Sequence, residues 1–150
     1  MKKLILVSVI LVLIGCKAKI AAPTIVKLAP TEVDATQRNK AYELGKRVLN
    51  SCNTSRFKPF TTAEATPQII QNTTPEKITR TCQKFAVKYG KFNDLRLVEV
   101  IHDKSQNTMT YRYKADYQWK HTQKELRVTM NQDNKVAAIK STNWTDEYQP

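Results

Sequence analysis

Glycine is scarce in this chain, with residues only at 15, 45 and 90, so no glycine-rich loop exists to cradle a phosphate. Histidine is scarcer still: His102, beside Asp103, and His121 stand apart from each other and from every cysteine, and both fall near strand ends where turns are expected. There is no Cys-x-x-Cys pair, so neither a zinc ligand set nor a dithiol redox motif is present, and no metal or cofactor is expected. No serine-centred nucleophile motif occurs. Acidic residues number 13 against 25 basic ones, a net charge of +12. Such an excess suits anionic lipid, polysaccharide or nucleic acid, but no run of five basic residues appears and the charge reads as a solvated surface. Long apolar runs are also missing. The longest, Leu4 to Ile14 with Ser8 inside it, is about half of the roughly 20 residues a spanning helix needs.

What is present begins with an address. Met1-Lys2-Lys3 followed by that apolar run reads as an export signal rather than a membrane span. It ends in Leu13-Ile14-Gly15-Cys16, which resembles the lipobox of bacterial lipoproteins. The resemblance implies a signal peptide over 1–15 that is cleaved before Cys16, a diacylglycerol on the Cys16 thiol, and a further acyl chain, such as palmitate, on the new amino terminus. Two or more chains hold a protein on a membrane stably where one does not. The alternative is an ordinary secreted protein with an unmodified Cys16. Lys17 stands where an aspartate marks retention at the inner membrane in some envelopes, so the resemblance implies the periplasmic face of the outer membrane. Without Lys2 and Lys3 the net charge is +10, and the exported address disfavours nucleic acid as a partner.

Residues 16–33, with Pro23 and Pro30 and no sustained periodicity, read as the lipidated terminus and a tether. A single domain is expected over 34–150. Asp34 is placed to cap a helix whose stripe runs Ala41, Leu44, Gly45, Val48, Leu49 and Cys52. After an irregular stretch with short helical turns around Thr62 to Pro67, Thr74-Pro75-Glu76 opens a second long helix with the stripe Ile78, Cys82, Phe85 and Tyr89, and Gly90 ends it. With Cys16 lipidated, Cys52 and Cys82 are the remaining cysteines of an exported chain, both on apolar stripes of neighbouring helices. A disulfide between them is favoured over two buried thiols.

Four strands follow: Leu95 to His102, Thr108 to Lys120, Lys124 to Gln132 and Val136 to Trp144, the last two joined at Asp133-Asn134. The second is the most regular. Met109, Tyr111, Tyr113, Ala115, Tyr117 and Trp119 share one face, and Thr108, Thr110, Arg112, Lys114, Asp116 and Gln118 share the other, so one buried and one wet face are expected. The row Tyr111, Tyr113, Tyr117 and Trp119 is either core packing or the wall of a ligand pocket, since a buried phenol or indole needs a polar partner. Alternation puts Asp116 and Glu125 outward and leaves Glu99, which shares its parity with Leu95 and Leu97, as the one acid-base candidate, with an exposed edge charge as the simpler reading.

The fold class is thus α+β, two main helices on one face of a four-stranded antiparallel meander. With the junction Phe85-Ala86-Val87-Lys88-Tyr89-Gly90-Lys91-Phe92, this layout resembles small exported domains of the nuclear transport factor 2-like, or cystatin-like, superfamily. Runs such as Tyr111 to Tyr117 and Lys124 to Val128 are similar to those of uncharacterised bacterial lipoproteins of this kind. The resemblance covers residues 35–145. The superfamily includes non-catalytic binding modules as well as small-molecule isomerases and lyases whose acid-base carboxylate or histidine faces the interior of the cone. The inward positions of the most regular strand carry no such group, so a non-catalytic module that binds a ligand or a protein partner is expected, with an isomerase or lyase as the alternative.

Overall fold

The computed structural model describes residues 24–120 and 122–150. The expected signal peptide, residues 16–23 of the expected tether with Cys16 among them, and His121 lie outside the described residues. The elements run β1 (Ile25–Leu28), α1 (Ala35–Thr54), α2 (Pro67–Asn72), α3 (Pro75–Tyr89), β2 (Phe92–Asp103), β3 (Thr108–Tyr117), β4 (Lys124–Met130) and β5 (Val136–Asn143). The class is α+β, with five strands rather than four in one antiparallel sheet of order β1-β2-β3-β4-β5. The added strand comes from the expected tether. Its residues Ile25 to Leu28 pair with Val100 to Asp103, and a turn of 3-10 helix at Pro30–Glu32 leads directly into α1. The folded unit therefore begins before residue 34.

The helix ends form where local chemistry places them. Asp34 accepts from Gln37 N at 3.0 Å, Thr74 accepts from Lys77 N with Pro75 in the first turn, and Gly90 takes φ +72° after Tyr89. α1 and α3 lie on one face of the sheet. Gly45 lets α1 come close: a Cβ there would stand 2.9 Å from both Leu126 Cδ2 and Val128 Cγ2. Between the layers Ala41, Leu44 and Leu49 of α1 and Tyr89 of α3 pack on Leu95, Val100, Tyr111, Tyr113, Tyr117, Leu126 and Val128.

Two departures from plain alternation shape the sheet. At the start of β2, register shifts occur between Phe92 and Asp94 and between Leu97 and Glu99. The second is a bulge in which Val98 has no opposite residue, so the parity of the strand inverts. Leu95 and Leu97 face the helices before it, as Val100 does after it opposite Tyr111. Glu99 is turned to the far face opposite Arg112. The other departure ends β3 at Tyr117, because Gln118 N bonds Lys91 O and Trp119 N bonds Tyr89 O at 3.0 Å, drawing the chain along the end of α3.

Candidate functional site

The aromatic row divides. Tyr111, Tyr113 and Tyr117 are buried on the helix face, where Tyr117 stacks against Phe85, Tyr89 and Phe92 and Tyr113 meets Tyr42. They are core. Their three phenol oxygens find no protein hydrogen-bond partner, and burial pushes Tyr111 up to about 12 and the other two higher still. Trp119 does not continue the row. The bend after Tyr117 leaves it 43% exposed against Gly90. The four residues do not line a common pocket.

The opposite face, expected to be wet, is buried at its centre. Arg112 is fully buried, and its Nε and Nη2 donate to the two carboxylate oxygens of Glu125 at 2.6 and 3.2 Å while Nη1 donates to Glu99. Arg127 donates from Nε to Glu125 at 2.8 Å, and Lys27 of β1 pairs with Glu99. The cover is the segment 144–149. Thr145 O accepts from Arg112 at 2.8 Å, Gln149 O accepts from Arg127, and the Trp144 and Tyr148 rings stand 4.5 and 5.5 Å from the Arg112 guanidinium. Lys114 also lies over Trp144 at 4.5 Å. Burial alone would push the Glu125 carboxyl up, but the hydrogen bonds from Arg112 and Arg127 outweigh it and hold it below the usual carboxylate range.

This arrangement corrects the sequence reading of the acids. Glu125 is not outward in the sense of solvated, and Glu99 is neither an exposed edge charge nor on the helix-facing side of the sheet. Asp116 is exposed as expected. The bulge puts Glu99 on the face away from the tyrosines, where two cations neutralise it. A general base needs a titratable group free to reach a substrate proton. His102, expected in an exposed turn, is half-buried near the end of β2 opposite Met109, on the other face from Glu99. No group of three metal-ligating side chains occurs among the described residues.

The feature that could receive a ligand lies elsewhere, beside the disulfide. Cys52 of α1 and Cys82 of α3 are bonded, with Cα atoms 4.6 Å apart. On the side toward β4 and β5 the two helices leave a cleft of about 190 Å³. Val48, Leu49, Ile78, Phe85, Leu126 and Ile139 make it apolar, and Asn72, Thr73, Thr81 and Ser141 supply polar groups. The helical stripes contained four of these residues, but their facing Ile139 across a gap depends on how α1, α3 and β5 splay. Comparison of the chain with protein-family models, with curated proteins and with solved structures returned no match.

Proposed function

We propose that this is a lipid-anchored, non-catalytic module of the bacterial envelope that binds a protein partner by seating one apolar side chain in the cleft between α1, α3 and β5. The observation that carries the reading is the size and lining of that cleft. At about 190 Å³ it is smaller than the ~300–1,000 Å³ of sites that enclose whole small molecules, yet larger than an apolar cavity of ~150 Å³ that takes benzene. A leucine or phenylalanine side chain is the matching occupant. Buried anchors of this kind dominate the energetics of protein interfaces.

Acylation of Cys16 and attachment to the periplasmic face of the outer membrane rest on the Leu13-Ile14-Gly15-Cys16 pattern and its position after the apolar run. The Cys52–Cys82 bond supports an oxidising compartment. No described helix is long and apolar enough to cross a membrane. Assignment to the nuclear transport factor 2-like superfamily is supported by two long helices over one face of an antiparallel meander. The non-catalytic reading is supported by the pairing of Glu99 with Arg112 and Lys27.

The test is a photo-crosslinking amino acid placed at Thr81, on the cleft rim, in the intact chain in living cells. One envelope protein captured at this position, and lost when Ile139→Trp fills the cleft, is the expected result. Capture that is unchanged by the filled cleft contradicts the proposal, as does a screen that finds turnover abolished by Glu99→Gln.

A further inference from the structure

The outer side of α3 carries its charge in one band. Lys77, Arg80, Lys84, Val87 and Lys88 fall within an arc of roughly 100° on the helical wheel, opposite the stripe of buried Cys82 and Tyr89 and half-buried Ile78 and Phe85. All five are exposed, and Lys91 follows just past the helix end. The single acid of α3, Glu76, sits in the first turn, where it complements the helix dipole. The four cations and Lys91 make no ion pair among the described residues, whereas carboxylates elsewhere, at 64, 94, 99 and 125, are each engaged by a basic group.

Two of the three exposed large hydrophobic side chains of the described residues lie at the C-terminal end of this band. Val87 is 81% exposed, and the Trp119 ring lies against Gly90, which Lys88 and Lys91 flank in sequence, while Lys120 follows Trp119. Cations interleaved with an aliphatic side chain and a tryptophan are the combination that anionic lipid favours. Basic groups are attracted to the head groups, and indole rings settle at head-group depth.

We propose that α3 and the Trp119 loop form a docking face for an anionic lipid surface, laying the domain on the membrane with the ionic face of the sheet turned away and the cleft rim at Thr81 beside the contact. The acylated Cys16 proposed above enters only through reach. Eight residues lie between Cys16 and Ile25, so the start of β1 stays within roughly 30 Å of the anchor. At that distance each encounter of the face with the surface is effectively intramolecular.

The experiment uses the full chain in vesicles of phosphatidylcholine alone or with phosphatidylglycerol, with brominated acyl chains as fluorescence quenchers. Flotation reports the anchor and tryptophan quenching reports the face, so the two readings fail separately. The expected result is quenching in the anionic vesicles that disappears in Trp119→Phe and falls with added salt. Lys84→Glu and Lys88→Glu should weaken docking by roughly fivefold or more for each cation lost, with near-ultraviolet circular dichroism unchanged. If the chain does not float, the same salt-sensitive quenching of the unacylated protein still supports the face. Equal quenching in the two vesicle types, or indifference to the charge reversals, overturns it. So does protection of Lys84 and Lys88 from amine-reactive labelling by envelope extract freed of lipid, which assigns the face to a protein instead.

Discussion

Arg112 Nε donates to Glu125 Oε1 at 2.6 Å, and neither side chain is exposed to solvent. The pair sits on the sheet face that carries no helix, under residues 144–149. Buried pairs of this kind are costly to break because the surviving charge stays in a dry site.

Arg112→Leu should therefore destabilise the domain by about 3–5 kcal/mol, since it leaves buried Glu125 with Arg127 alone and Glu99 with Lys27 alone. Urea unfolding of Arg112→Leu, Glu125→Leu and the double variant measures the coupling. The double variant should recover part of the loss. A single variant within about 1 kcal/mol of the parent would mean that the face is hydrated.

Acid should act through the same chemistry. Arg47 donates to Glu64 at 2.6 and 3.0 Å and holds its carboxyl at about 2 against an ordinary 4.5, and Glu125 is also lowered. A carboxylate whose pKa is depressed by folding contributes fully above its unfolded value and loses that contribution as pH falls through the folded one. Stability should thus decline between about 4.5 and about 2, less steeply in Glu64→Gln. Because Glu64 is partly exposed, solvent screening limits its share. Urea midpoints along a pH series check the sign, and a midpoint that rises on acidification would contradict it.

Reducing the Cys52–Cys82 bond, which closes a loop with a separation of 30 residues, should cost roughly 3–4 kcal/mol by chain entropy. Because the bond also forms the wall between α1 and α3, reduction should loosen the cleft before the sheet. Hydrogen exchange on reduced and oxidised protein would detect this as faster exchange in α3 than in β3 and β4. Uniform acceleration would show that the bond serves the whole fold equally.

Tyr113→Phe tests whether the aromatic row is core. The Tyr113 hydroxyl is buried without a protein partner, so its removal should be neutral or stabilising by up to about 1–3 kcal/mol in thermal unfolding. Destabilisation would place a bound group beside the ring.

The parts of the fold that could be read from the sequence are those set by neighbours in the chain. Asp34, Thr74 and Gly90 act within one turn of their helices, and the alternation of β3 needs only its own residues. What escaped depends on distant partners. Strand β1 has four residues, one of them lysine, and exists because β2 offers it an edge. The Val98 bulge is a matter of register between β2 and β3, and it alone decides which way Glu99 points. Alternation separates the two faces of β3 but cannot say that Trp144 and Tyr148, more than 30 residues downstream of Arg112, cover the second. Trp119 leaves the row because Tyr89 O captures its amide. The cleft needs α1, α3 and β5 in place at once, so Leu49 and Phe85 were legible as core but not as its lining.

The cleft beside the disulfide should accept one apolar group. Titration of the oxidised protein with toluene, followed by methyl and aromatic nuclear magnetic resonance, addresses it most directly, since the ring matches a phenylalanine side chain. Saturable shifts are expected at Val48, Leu49, Ile78, Phe85, Leu126 and Ile139, and they should vanish in Ile139→Trp. Shifts spread over the surface, or none at these six residues, would contradict it.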